Sequence, residues 1–161
     1  MMDHDISFRP IRPDDQALLS RIYASTREDE LAVVDWTEEQ KTAFLQMQFA
    51  AQHKFYMENF ASAEFLIIEQ KANALGRLYV DRRDDEIRLI DIALLPEYRN
   101  RGIGGRLLRD LLAEGERAGK PVRIHVEREN PAMRLYRRLG FEAIDEHGVY
   151  WLMEWKPSPE E

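Results

Sequence analysis

Two stretches of the chain carry residue types at spacings that suit chemistry. The first is Asp91-Ile-Ala-Leu-Leu-Pro-Glu-Tyr-Arg99-Asn-Arg-Gly102-Ile-Gly104-Gly105. A strand pattern ends at Pro96, and three glycines then fall in the first turn of a helix pattern. Glycine there lets backbone N–H groups come close to a ligand, and the start of a helix adds partial positive charge. Such a cradle suits a pyrophosphate, with Arg99 and Arg101 placed to add charge-assisted contacts. Two other phosphate motifs do not fit. The P-loop needs a Lys-Ser/Thr pair after its last glycine, and Arg106-Leu107 stands there. The dinucleotide fingerprint needs a third glycine where the chain has Leu107.

The second stretch is Asn130-Pro-Ala-Met-Arg-Leu-Tyr136-Arg-Arg-Leu-Gly140-Phe141. With both stretches in view, the chain resembles the GNAT superfamily of acyl-coenzyme A N-acyltransferases. One signature of that family, Arg/Gln-x-x-Gly-x-Gly/Ala, is met by Arg99, Gly102 and Gly104. Another, Asn-x-x-Ala-x-x-x-Tyr-x-x-x-Gly-Phe, is met from its alanine onward by Ala132, Tyr136, Gly140 and Phe141, with Asn130 one residue closer to the alanine than the signature has it. The strand entry Ile92-Ala93-Leu94-x-Pro96 also looks like the family's. The resemblance runs from residue 6 to residue 155.

The resemblance implies acetyl-CoA, or another acyl-CoA, as cosubstrate, and an amine as acceptor. The pyrophosphate would rest on backbone amides around Arg101, Gly102, Ile103, Gly104, Gly105 and Arg106, with Asn100 in the same loop. The pantetheine arm would pair with backbone at Ile92, Ala93 and Leu94 like an added strand. Asn130 would contact that arm, Ala132 belongs to the same signature, and Tyr136 would protonate the departing thiolate. A bulge near Ala93 would free an N–H for the thioester oxygen. The amine must lose a proton before it attacks, since a lysine-like amine has a pKa near ~10.4. The expected route is direct transfer in a ternary complex.

The general base is the open place. Many members of the family carry a glutamate one residue before the Asp-Ile-Ala-Leu run, and here that position is Ile90. Asp91 is adjacent, but strand alternation aims it at the other face. His125 and Glu127 share a face of the next strand and are further candidates. A water chain, or an amine arriving neutral, would also serve. No metal is expected: His4, His53, His125 and His147 show no ligand spacing.

The elements that must hold these groups follow from periodicity. Ile6 to Arg9 predicts a strand, and Asp14 an N-cap for a helix reaching Arg27. Thr37-Glu-Glu-Gln40 is a capping box, and the helix it opens runs to about Phe60. Phe44, Met47, Ala51 and Phe55 recur at three- and four-residue steps and predict its buried stripe, with the polar Gln48, Gln52 and Tyr56 beside it. Trp36 reads as a core anchor. Glu28-Asp29-Glu30, read as a loop, and Asp35 offer acidic surface to a cationic amine, or are plain solvated polarity. A β-meander spans residues 64–95. Ile103, Leu107, Leu108, Leu111 and Leu112 share the buried face of the next helix, closed by Gly119. A strand over 122–126, a short helix over 131–139 and a final hairpin complete the order β-α-α-β-β-β-α-β-α-β-β. This is an α+β, three-layer α/β/α layout around a central mixed, mostly antiparallel sheet, the GNAT fold.

Composition sets the bounds. The 161 residues suit one domain, residues 1–156, with a loose tail at 157–161. There is no cysteine, so disulfides and an acyl-cysteine intermediate are excluded. The acidic start and the lack of a long apolar run point to a cytoplasmic protein with no membrane partner. Net charge is −7, yet residues 99–138 hold 11 Lys and Arg against 5 Asp and Glu, a local +6 that leaves −13 elsewhere. A basic island on an acidic chain suits a local anionic ligand. A nucleic-acid partner is not expected, given that acidity and the lack of a binding motif. The rival to catalysis is a non-catalytic acyl-CoA-binding sensor or interaction module. Monomer and homodimer are both open, the late hairpin Val149 to Trp155 being one surface that can pair.

Overall fold

The computed structural model describes residues 5–159. The start of the chain before Asp5, and Glu160 and Glu161 of the expected tail, lie outside the described residues. The strands are β1 (Ile6–Pro10), β2 (Glu64–Gln70), β3 (Asn73–Arg82), β4 (Ile87–Leu94), β5 (Val122–Glu127), β6 (Glu142–His147) and β7 (Tyr150–Trp155). The helices are α1 (Gln16–Ser25), α2 (Glu28–Ala32), α3 (Glu38–Asn59), α4 (Ile103–Ala118) and α5 (Met133–Arg138). The strands hydrogen-bond in the order β1-β2-β3-β4-β5-β7-β6. Pairing is antiparallel for β1 with β2, β5 with β7 and β6 with β7, and parallel for β4 with β5. The chain falls into two compact units, Met1–Leu78 with Ala93–Arg99, and Tyr79–Ile92 with Asn100–Glu161.

In the first unit, α1 starts one residue later than the sequence suggests. Pro13–Asp15 forms a 3-10 turn, and the residue before α1 is Asp15, not Asp14. Its carboxylate is drawn elsewhere, accepting from Arg12 N at 2.7 Å and from both terminal nitrogens of Arg9. The helix also ends early. Residues 28–30, expected as a loop, open the short helix α2.

The capping box of α3 is as expected: Thr37 Oγ1 accepts from Gln40 N at 3.1 Å, and Gln40 Oε1 from Thr37 N at 2.9 Å. The rotation of this helix differs from the sequence expectation. Phe49 is buried, and Gln48 and Gln52 turn inward, whereas Met47 is 63% and Phe55 53% exposed. Two buried polar partners set that rotation. Tyr23 donates to Gln48 Oε1 at 3.0 Å, and Arg77, on β3, donates to Gln52 Oε1 at 2.9 Å. A buried donor without an acceptor costs about 1–3 kcal/mol, so satisfying Tyr23 and Arg77 outweighs hiding one more methionine. Trp36, expected in the core, is 41% exposed and packs edge-on against Phe44 at 5.2 Å.

In the second unit the expectation for α4 holds. Ile103, Leu107, Leu108, Leu111 and Leu112 are buried, as are Val122, Ile124 and Val126 on β5. Each such side chain contributes about 1.5–3 kcal/mol relative to exposure. Gly119 closes α4 in the left-handed region, at φ 67°. Gly115 lets the helix approach closely, since a Cβ there would lie 2.8 Å from the Lys120 carbonyl oxygen and 3.0 Å from the Trp155 ring.

Candidate active site

β4 and β5 begin as a parallel pair and then part. The register runs Ile87 with Val122, Arg88 with Arg123 and Leu89 with Ile124, and stops there. β4 continues through Ile90, Asp91 and Ile92, and β5 through His125, Val126 and Glu127. Two strands that part after three paired residues leave backbone donors and acceptors facing an opening, and an extended ligand can use them.

Alternation distributes the side chains along these strands. Leu89 and Asp91 share a face of β4, while Arg88 and Ile90 take the other. On β5, His125 and Glu127 lie on the face of Arg123, the residue that pairs with Arg88. Asp91 interacts electrostatically with Tyr136 on α5. The candidate base positions and Asp91 therefore stand on opposite sides of the sheet.

Tyr136 is 4% exposed, with its ring edge-on to Phe141 at 5.6 Å. Burial first, and then the Asp91 charge, hold its phenol well above the ordinary tyrosine range, so it keeps its proton at neutral pH. The turn that presents it is local. Asn130 Oδ1 accepts from Ala132 N at 2.7 Å, Ala132 is the residue before α5, and Phe141 N donates to the Tyr136 carbonyl at 3.0 Å. Asn130 and Ala132 thus fix the entry to the helix that carries the tyrosine.

His125 stands close to two cationic or ionisable neighbours. Arg88 Nη1 is 3.4 Å from its Nδ1, and the His147 ring lies 5.3 Å away. Burial, then Arg88 and His147, lower its pKa against a smaller opposing pull from Glu86, so the imidazole is neutral at pH 7.

The glycine turn opens α4. Asn100 takes a left-handed φ of 61°, and Gly102 follows at 81°. The first α4 amide to bond back is Arg106 N, to Gly102 O at 3.0 Å, and no side chain caps this end. The amides of Ile103, Gly104 and Gly105 precede the ladder and point outward from the positive end of the helix. Arg101 is exposed beside them, and Arg106 reaches Asp110 at 3.5 Å. Uncapped amides, glycine and two nearby guanidiniums are a donor set that fits a pyrophosphate. Among the described residues no group of three or more His, Asp or Glu could hold a metal ion, and no helix is long and apolar enough to cross a membrane.

The family profile described as an acetyltransferase (GNAT) domain matches residues 61–143, just over half of the chain. The chain belongs to the GNAT acetyltransferase family. A mycothiol acetyltransferase of Corynebacterium aurimucosum is 41% identical over 79 residues, which are 48% of this chain and 22% of that protein. The chain thus spans about a fifth of the length of that relative. Solved structures extend the likeness over nearly the whole fold. The PaiA N-acetyltransferase of Thermoplasma acidophilum, solved with coenzyme A, superposes with a TM-score of 0.69 at 20% identity, covering 94% of this chain and 98% of its own. The ribosomal-protein-S18-alanine N-acetyltransferase of Escherichia coli superposes at 0.63 and 19% identity, covering 97% and 96%. The mixed seven-stranded sheet is the GNAT fold, as the motifs led one to expect.

Against that family pattern, two residues have places the sequence reading did not foresee. Arg99 directs Nε to the Leu94 carbonyl at 2.9 Å and Nη2 to Ser25 Oγ at 3.0 Å, so these donors brace the first unit. Gly76 was overlooked altogether. A Cβ there would lie 2.0 Å from the Ala93 carbonyl oxygen, so only glycine lets β3 pass this part of β4. A lone glycine inside a strand pattern is the signal that could have found it.

Proposed function

We propose that this GNAT protein is an N-acetyltransferase that moves an acetyl or other short acyl group from acyl-CoA to a primary amine. The parting of β4 from β5 after Leu89 and Ile124 carries the reading. It supports a berth for an extended pantetheine arm in the same chain as an uncapped, glycine-lined helix start suited to its pyrophosphate.

In this reading the amides of Ile103, Gly104 and Gly105, with Arg101 and Arg106, hold the diphosphate. Backbone of Ile92, Ala93 and Leu94 pairs with the arm, and Asn130 and Ala132 shape the turn that leads into α5. When bound, the thioester supplies the activated acyl carbon. The acceptor nitrogen bonds to that carbon as the carbon–sulfur bond breaks. Tyr136, buried and protonated, delivers its phenolic proton to the departing sulfur. Asp91 is the neighbour that keeps that proton in place. The amine's proton leaves on the opposite face of the sheet, where His125 and Glu127 stand as bases and Ile90 offers none.

The test is turnover. Purified protein is given acetyl-CoA with a panel of polyamines, amino acids, amino sugars and peptides with free N-termini, and free coenzyme A thiol and acetylated product are measured together. Stoichiometric thiol and acetyl-amine support the proposal. Acetyl-CoA binding with no amine-dependent thiol release would favour the binding-module alternative. His125→Gln and Glu127→Gln then separate the two bases, because loss of the base removes the acid limb of the kcat/KM profile.

A further inference from the structure

In the second unit, one contact decides where the proton of an imidazole sits. Arg88 Nη1 lies 3.4 Å from His125 Nδ1. A guanidinium offers five N–H donors and no acceptor, and it stays protonated. The ring nitrogen that faces it is therefore the one with the lone pair. Turning the ring over would set a C–H against the same N–H and lose the contact. Arg88 is itself held. Its Nε stands 2.8 Å from Glu86 Oε2, and its side chain is 16% exposed. Glu86 is buried and also takes Arg123 and Arg83, so a swing of Arg88 away from His125 would strip a partner from a buried carboxylate. The other charged groups on this face of the sheet are engaged with one another. On β5, Arg123 is taken by Glu86 and by Glu154 of β7. Leu152 of β7 lies opposite His125, between Glu154 and Tyr150. On β6, Glu142 pairs with Glu154, Asp145 with Leu152 and His147 with Tyr150. His147 Nε2 lies 3.2 Å from Asp145 Oδ2, and its ring meets His125 edge-on.

We infer that Arg88 is a positioning residue that fixes the tautomer of His125, so that His125 enters the reaction as a hydrogen-bond donor through Nε2 and Glu127 is the base. In the neutral ring the proton sits on Nε2. To accept a proton there, the ring would first have to move its own to Nδ1, against the Arg88 donor. To accept one at Nδ1, it would have to displace Arg88. Either route ends in an imidazolium beside a guanidinium. Burial, Arg88 and His147 oppose that charge, against a smaller pull from Glu86. Glu127 stands two residues along the same face of β5, and an ionised carboxylate only accepts. The ammonium proton of the acceptor passes to the Glu127 carboxylate and on to solvent. The freed nitrogen lone pair forms the bond to the acyl carbon, while His125 Nε2 donates to a lone pair elsewhere on the acceptor and holds it. The role of Glu127 rests on the acyl-transfer reading, and the tautomer of His125 does not.

Nitrogen-15 NMR of the full chain labelled at histidine tests the tautomer, with His125→Gln locating the His125 signals. In the neutral ring of the parent, Nδ1 should be the bare nitrogen and Nε2 the protonated one. Arg88→Met should admit the second tautomer and raise the titration midpoint of His125, because a neighbouring positive charge is gone. A parent with Nδ1 protonated in the neutral ring overturns the inference, whether or not the Arg88 variant folds. So does a folded Arg88→Met whose midpoint stays at or below the parent's. Turnover tests the roles. Glutamine keeps an N–H near the place of Nε2, and leucine keeps none. His125→Leu should lower kcat/KM roughly tenfold, the loss of one hydrogen bond, and His125→Gln should recover part of it. Both should keep the acid limb of the kcat/KM profile, and Glu127→Gln should lose it. An acid limb that vanishes with His125 and survives Glu127→Gln overturns the assignment of the base. A parent that acetylates no amine overturns the roles in acyl transfer, while the NMR result still decides the tautomer.

Discussion

Arg99 Nη2 donates to Ser25 Oγ at 3.0 Å and thereby ties the loop ahead of the glycine turn to the last residue of α1. The same guanidinium reaches the Leu94 carbonyl, where β4 ends. One planar fork serves both acceptors, which a lysine cannot do. Arg99→Ala should therefore lower stability by about 1.5–3 kcal/mol, the range for hydrogen bonds to a charged group, and Arg99→Lys should recover little of it. Urea unfolding of the three proteins measures this. A variant as stable as the parent would confine Arg99 to ligand binding.

Tyr136→Phe removes the proposed acid and little packing. It should lower kcat by ~100-fold or more and leave the acetyl-CoA KM near the parent value. Full activity would take Tyr136 out of the mechanism.

The Tyr136 proton also has a pH signature. Burial and Asp91 raise its folded pKa above the ordinary value of 10.0. The associated stability is complete below that value and is lost as pH rises toward the folded pKa. Asp91→Asn removes one of the two causes, so the alkaline limb of kcat should move to lower pH. Near-ultraviolet absorbance of tyrosinate should show the same displacement without any turnover. An unmoved limb would leave Asp91 with no part in holding the proton.

Glu86 is the centre of an ion network on the second unit. It is 4% exposed and takes Arg123 at 2.7 Å, Arg88 at 2.8 Å and Arg83 at 3.1 Å, while Arg123 also reaches Glu154 at 2.8 Å. Burial opposes its ionisation, but Arg123 and Arg88 outweigh that and hold its carboxyl below the usual value of 4.5. Its contribution is present above about that pH and is lost as pH falls through the lower folded value. Glu86→Ala should cost about 3 kcal/mol or more, because several guanidiniums lose their shared partner. Glu86→Gln should flatten the fall of stability in acid. A parent-like acid profile would place the acid-labile contact elsewhere.

The parts of the molecule set by local rules were legible in the sequence. The glycine turn, the Thr37 cap and the α4 stripe each depend on residues within a few positions of one another. What escaped was set across the chain. Residues on both sides of α3 recur at helical spacing, so periodicity alone picked Phe44, Met47, Ala51 and Phe55 as its buried side. The choice was made by Tyr23 and Arg77, which lie 25 residues to either side of their partners. Arg123 finds Glu86 across 37 residues, and Arg99 finds Ser25 across 74. No window of sequence holds both ends of such contacts. Asp91 and its neighbour Tyr136 likewise lie on separate elements, β4 and α5.

The central claim is that this chain binds acyl-CoA through the glycine turn of α4, and thermal unfolding tests it most directly. Acetyl-CoA at about 100 times its Kd should add about 2.7 kcal/mol, a midpoint rise of roughly 5–10 °C for a domain of this size. Gly104→Glu, which puts a carboxylate into the phosphate cradle, should unfold near the parent's unliganded midpoint whether or not acetyl-CoA is present. A parent whose midpoint does not move with saturating acetyl-CoA, or a Gly104→Glu variant that responds as the parent does, would contradict the account.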